Sequence, residues 1–114
     1  MGEALPDIGR TRQPAAMYLV VWQYDVDPAQ AARFEQYYGP AGAWAALFRR
    51  ARGFLGLELY RETSIPGRYL TIDRWESLTA LELFRHQFAN EYAALDAACE
   101  TMTFSERKLF ETGE

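Results

Sequence analysis

Arg68-Tyr69-Leu70-Thr71-Ile72-Asp73-Arg74-Trp75-Glu76-Ser77 reads as a β-strand that runs straight into a helix, and this stretch decides the fold. Tyr69, Thr71, Asp73 and Trp75 fall on one side of a period-two pattern, with Leu70, Ile72 and Arg74 on the other. Just upstream, Ser64-Ile65-Pro66-Gly67 has the chemistry of a tight turn, and Phe54 to Glu62 forms another strand-like run. The two runs are expected to pair as an antiparallel hairpin. A turn that sets Glu62 against Arg68 puts Tyr60 opposite Leu70, Glu58 opposite Ile72 and Gly56 opposite Arg74, with Glu58 diagonal to Arg74. The other face of the hairpin then gathers Leu55, Leu57, Leu59 and Arg61 with Tyr69, Thr71, Asp73 and Trp75, and its three leucines mark it as the core side.

Toward the N-terminus, Tyr18, Val20, Trp22, Tyr24 and Val26 alternate with Leu19, Val21, Gln23 and Asp25, the pattern of a first strand rich in β-formers. Asp27-Pro28 opens a helix that runs to about Tyr38, because Asp caps free amides, Pro fits the first helical position and Gln30 is placed for a capping box. The helix breaks at Gly39-Pro40. A second piece carries Trp44, Leu47, Phe48 and Ala51 at helical spacing, with Arg49, Arg50 and Arg52 at its negative end and Gly53 as its C-terminal cap. After Ser77 one long helix is expected, with Leu81, Phe84, Phe88, Tyr92 (or Glu91), Leu95 and Cys99 along one stripe. Thr103-Phe104-Ser105-Glu106 has the look of a capping-box turn, which leaves Lys108 to Glu111 as a short final strand.

The order β-α-β-β-α-β, with the first helix broken, closes most simply as a ferredoxin-like antiparallel sheet of the α+β class with both helical layers on one face. The first strand is apolar on both sides, more than a half-solvated sheet requires. A second copy of the chain is therefore the expected cover for the open face.

A chain of 114 residues fits one domain, expected over residues 17–114 behind a loose tail at residues 1–16. That tail has no apolar core of the kind a signal peptide needs. The apolar runs are far shorter than the roughly 20 residues a membrane helix requires, so no membrane partner is expected. A net charge of −4 without a basic stripe argues against nucleic acid. The single Cys99 excludes an internal disulfide and, with the single His86, is too little for a structural zinc set; a cytoplasmic location is expected. Cys99 falls on the apolar stripe and is read as packing. His86 falls about 200° round the helix from Phe84 and is read as solvated.

Together with Gly53-Phe54-Leu55-Gly56 and Val20-Val21-Trp22-Gln23-Tyr24-Asp25-Val26, the opening stretch resembles the antibiotic biosynthesis monooxygenase family of dimeric α+β barrels, over roughly Met17 to Glu111. The resemblance implies a homodimer with facing sheets and a pocket between sheet and helices. It also implies, in several members, oxidation of polycyclic phenols or quinols by molecular oxygen without flavin or metal. Another branch degrades haem. In active members the final helix often carries a His, or in the haem branch a Trp, at the position matched here by Phe84, and the haem branch has its iron-ligating His where this chain has Ala94. Haem is therefore not the expected ligand, and no cofactor or metal is expected.

The candidate catalytic residues are Asp73, Arg74 and Tyr24, and the candidate substrate-binding residues are Trp22, Trp44, Tyr69 and Phe84. Asp73 on an apolar face is either a base with a raised pKa or a rim residue near a helix terminus. Arg74 is either half of a cross-strand ion pair with Glu58 or an anchor for an acidic or phenolic ligand. The aromatic residues, 15% of the chain, either fill a core or wall a flat cavity, with Gly39-Pro40-Ala41-Gly42 as its lid or as a plain bend. The expected function is a cofactor-independent monooxygenase for a small aromatic phenol or quinol. The alternatives are a non-catalytic dimeric binding module and an isomerase or cyclase on the same scaffold.

Overall fold

The computed structural model describes residues 17–113, so the tail expected over residues 1–16 lies outside the described residues. Four antiparallel strands, β1 (Tyr18–Val26), β2 (Phe54–Arg61), β3 (Arg68–Trp75) and β4 (Thr103–Gly113), form one sheet in the order β2-β3-β1-β4. Helices α1 (Ala31–Tyr38) and α2 (Ala43–Arg49) connect β1 to β2, and α3 (Leu78–Gln87) and α4 (Ala89–Cys99) connect β3 to β4. This is the ferredoxin-like α+β arrangement that the strand and helix order implies.

The hairpin register holds residue by residue. Gly56 pairs with Arg74, Glu58 with Ile72 and Tyr60 with Leu70, and Glu62 N donates to Arg68 O at 2.9 Å. The expected row of three core leucines does not hold. A bulge between Phe54 and Gly56 lets Phe54 face Trp75 and leaves Leu55 49% exposed, while Leu57 and Leu59 stay on the core side.

Local chemistry explains the helix ends. Asp27 accepts from Ala29 N at 3.0 Å and opens a short 3₁₀ turn at Pro28–Gln30, which passes into α1; no capping-box bond from Gln30 forms. Phe34 and Tyr38, one turn apart on α1, stack at 4.1 Å. Ser77 Oγ accepts from Ala80 N at 3.0 Å to start α3. Gly53 sits at φ +93°, and a side chain there would meet the Ala80 methyl, so α2 ends where α3 packs. The Gly39 to Gly42 segment is a bend closed by Gly42 N to Gly39 O at 2.9 Å, and Arg49 donates to Pro40 O at 3.2 Å.

Two expectations for the C-terminal third are corrected. The long helix divides at Phe88, whose backbone (φ −113°, ψ 27°) leaves the helical region, so α3 and α4 are separate helices. The final strand is eleven residues long, and Thr103 to Glu106 belongs to it instead of to a capping turn. Pairing along the whole free edge of β1 satisfies those backbone groups, which outweighs the local turn preference. Register shifts near Leu109 and Phe104 interrupt the alternation that would otherwise advertise a strand, and Phe104 ends 73% exposed.

The core lies between the sheet and the helices, where Val20, Tyr24, Tyr69 and Trp75 meet Phe34, Trp44, Phe48 and Phe84. On the opposite face Leu19, Val21, Leu70, Ile72 and Phe110 are flanked by two ion pairs, Arg68 with Asp25 at 3.0 Å and Arg74 with Glu58 at 2.8 Å. Among the described residues no helix is long and apolar enough to cross a membrane.

Candidate active site

The strict alternation of β3 turns Tyr69, Thr71, Asp73 and Trp75 toward the helices, and all four are buried. Three of them are neutral. The fourth, Asp73, is 8% exposed, lies between Val20 of β1 and Leu57 of β2 in the sheet, and makes no side-chain hydrogen bond or ion pair among the described residues. Burial pushes its carboxyl up to about 7, with Arg85 pulling the other way.

Asp73 borders two hollows under the sheet. The larger, with about 410 Å³ of free space including its mouth, is walled by Trp22, Tyr24, Trp44, Phe48 and Tyr92. Tyr38 and Leu57 complete the apolar wall, Thr71 lies on its floor beside Asp73, and Asp96 of α4 and Glu106 of β4 stand at its edge. The smaller, about 320 Å³, lies on the other side of Asp73 and is lined by Val20, Trp75, Leu81, Phe84 and Arg85, sharing Trp22, Phe48 and Tyr92 with the first. The enclosed space is about 40 Å³ in each, so an aromatic ring enters only as the side chains around Asp73 move aside.

The aromatic walls interlock. Trp44 meets Tyr92 edge-on at 4.9 Å, Trp22 stacks with Tyr24 at 6.5 Å, and Phe84 meets Phe48 edge-on at 5.2 Å. The indole N–H of Trp44 is buried behind the wall and has no acceptor among the described residues. Tyr24 and Thr71 share one hydrogen bond of 3.4 Å between their hydroxyls. Whichever oxygen accepts keeps its own proton free to donate. Burial drives the Tyr24 phenol far above its usual range, and the Tyr92 phenol to about 12, so both stay protonated at neutral pH.

Arg85 does not neutralise Asp73 by contact. Its guanidinium pairs with Glu111 at 3.2 Å, which also receives Lys108 at 2.7 Å and the Tyr18 hydroxyl at 3.0 Å. Burial works to raise the Glu111 carboxyl, but these three partners overcome it and bring it down to about 2.

Of the residues singled out in the sequence, Asp73, Tyr24, Trp22 and Trp44 converge on the larger hollow, and Phe84 lines the adjoining one. Arg74 does not reach either. As the residue after Asp73 on a strand it points to the opposite face, where two of its nitrogens bind Glu58 Oε1 at 2.8 and 3.1 Å. Tyr69 faces the helices but stands beyond the cleft, its ring tilted against Phe34 at 4.9 Å and its hydroxyl donating to Glu35. The Gly39 to Gly42 bend lines neither hollow. His86 is exposed, and Cys99 is buried with its thiol raised by burial. The residues around the cleft that sequence reasoning missed are Phe48, Leu57, Thr71, Tyr92, Asp96 and Glu106. Thr71 and Leu57 were legible as Asp73's neighbours on the same face of the hairpin, whereas the others lie on elements that only packing brings to the cleft.

The profile of the antibiotic biosynthesis monooxygenase family matches residues 17–97 of this chain. The chain belongs to that family. Solved structures with the same fold include a variant of SnoaB, described as a cofactor-independent oxygenase from Streptomyces nogalater, with a TM-score of 0.71 at 20% identity over 88% of this chain and 94% of that one. A putative antibiotic biosynthesis monooxygenase from Bordetella bronchiseptica matches with a TM-score of 0.69 at 24% identity over 87% and 97% of the two chains. A further one, from Caulobacter crescentus, covers 94% and 97% of the chains with a TM-score of 0.67 at 20% identity. At these identities the likeness of structure establishes the fold. No protein of curated function matches the chain.

Proposed function

We propose that this family member is a cofactor-independent monooxygenase that oxidises a small aromatic phenol or quinol, or a methylene activated by such rings, with Asp73 as general base. The observation that carries this reading is Asp73 itself: a carboxylate without a partner among the described residues, its carboxyl raised to about 7 by burial beside an aromatic cleft. A base matched to ambient pH is the most useful one for removing a weakly acidic proton.

In this reading the proton passes to Asp73 and the substrate becomes an electron-rich anion held between the rings of Trp22, Trp44 and Tyr92. The free proton of the Tyr24–Thr71 hydroxyl pair donates to its oxygen, a preorganised stabilisation of the charge that develops. The anion then transfers electrons to molecular oxygen. For a methylene the balance is one O2 consumed, two C–H bonds broken, one C=O formed and one H2O released. Apolar walls keep bulk water from the anion meanwhile.

The same proposal takes the protein to be a homodimer in the cytoplasm. Its support is the apolar row Leu19, Val21, Leu70 and Ile72 on the sheet face that no described helix covers, and the buried free thiol of Cys99.

Oxygen uptake with anthrone-like and naphthoquinol compounds tests the reaction. Uptake in stoichiometric proportion to oxidised product, rising with pH through about 7, is expected from the titration of Asp73. Quenching of tryptophan fluorescence by these compounds without any oxygen uptake would favour the binding-module reading.

A further inference from the structure

The cleft is aromatic and acidic at once, and its charges have one sign. Asp73 lies at its inner end and Asp96 and Glu106 at its mouth, while no Lys, Arg or His among the described residues lines it. The shallow hollow beyond the mouth shares Tyr38, Asp96 and Glu106 and adds Glu100, again without a basic residue. At the smaller hollow on the far side of Asp73 the one basic group among the described residues is Arg85, already committed to Glu111.

We infer that the cleft takes a ligand whose aromatic body carries a positive charge, a protonated or quaternary amine. Ring faces attract cations through their negative quadrupoles, and Trp is the strongest of the three aromatic residues in this respect. Trp22, Trp44, Tyr24 and Tyr92 supply such faces on several sides of the space. Asp73, 8% exposed and without a hydrogen-bond partner among the described residues, supplies the negative charge inside. Burial and then the nearby Asp96 raise the Glu106 carboxyl, the signature of carboxylates that lack a counter-charge. A cation at the mouth relieves that repulsion, whereas an anionic ligand adds to it. The protein's net charge of −4 steers in the same direction.

This inference rests on the cleft being the binding site proposed above, though not on the oxidation. Three ligands of one shape separate charge from fit: 2-naphthylmethylammonium, 2-naphthylmethanol and 2-naphthoate, titrated by calorimetry into the full chain. The ammonium compound is expected to bind about tenfold tighter than the alcohol, and the carboxylate more weakly than either. In a variant carrying Asp96→Asn and Glu106→Gln, the ratio of ammonium to alcohol affinity should fall several-fold. Equal or tighter binding of the alcohol or the carboxylate, no binding of any of the three, or a ratio unmoved by the paired substitution would overturn the inference. Oxygen uptake with a neutral naphthoquinol is scored separately. Uptake without cation preference removes this inference and leaves the oxygenase reading, and cation preference without uptake does the reverse.

Discussion

On the helix side of the sheet a carboxylate stands unpaired among aromatic rings, and on the open side, one residue along the same strand, a guanidinium is closed into an ion pair. Asp73 and Arg74 share a backbone and almost nothing else. Asp73 is surrounded by Val20, Leu57 and the cleft walls, so desolvation dominates and the carboxyl rises to about 7. The carboxylate beside Arg74 behaves oppositely: hydrogen bonds from the guanidinium hold Glu58 below the usual carboxylate range. A strand that alternates can thus place a desolvated carboxylate and an ion pair side by side, because the two faces differ in their surroundings.

The largest expected effect comes from removing the charge on the helix side. Asp73→Asn should lower any oxidation rate by roughly 10²–10⁴-fold, the usual share of a general base, and abolish the rise with pH near 7. The same change should stabilise the protein in alkaline solution. A carboxyl whose folded pKa is raised binds more protons folded than unfolded, so its contribution to stability declines as pH rises from 3.8 to about 7 and is constant above that. The difference corresponds to at most about 4 kcal/mol. Melts of both forms at pH 4 and pH 8 should therefore diverge only at pH 8, with the variant the more stable. Equal melting at pH 8 would mean that Asp73 is better solvated than its surroundings indicate.

On the open face the largest effect should be on assembly. Ile72 lies between Val21 of β1 and Glu58 of β2, so Ile72→Lys gives an isolated chain a neighbouring carboxylate to pair with, but puts a charge into any apolar interface over this face. The unaltered protein is expected to be a dimer burying on the order of 2,000 Å² or more. The variant should dissociate at least about a hundredfold more readily by light scattering on a sizing column. A variant that remains dimeric would show that the partner sits elsewhere.

Arg74→Gln should be milder. It breaks the bonds to Glu58 but touches neither hollow, so oxidation and ligand binding should stay within about twofold and the melting point should shift slightly, less so at high salt. A large loss of rate with an intact fold would return Arg74 to the site and blur the contrast between the faces. Smallest of all, His86→Ala on the exposed side of α3 should change stability by no more than about 0.5 kcal/mol, checked by thermal melts.

The sequence by itself determined whatever is encoded at short range. Alternation in β3, the Ser64 to Gly67 turn and the residue count between them set the hairpin register, and that register put Asp73 on the core face and Arg74 diagonal to Glu58. The helix starts at Asp27 and after Ser77 were likewise local, since a cap is a bond between near neighbours. Only the tertiary structure decided which surroundings each of these groups would have. The bulge that turned Leu55 outward, the break at Phe88 and the full length of β4 each answer to a packing partner distant in sequence. Asp96 and Glu106 line the same hollow as Asp73 from two other elements, and nothing in their own segments announces it. Alternation assigns a side chain to a face; only the filled volume around that face determines whether a buried carboxylate finds a partner or, as at Asp73 among the described residues, does not.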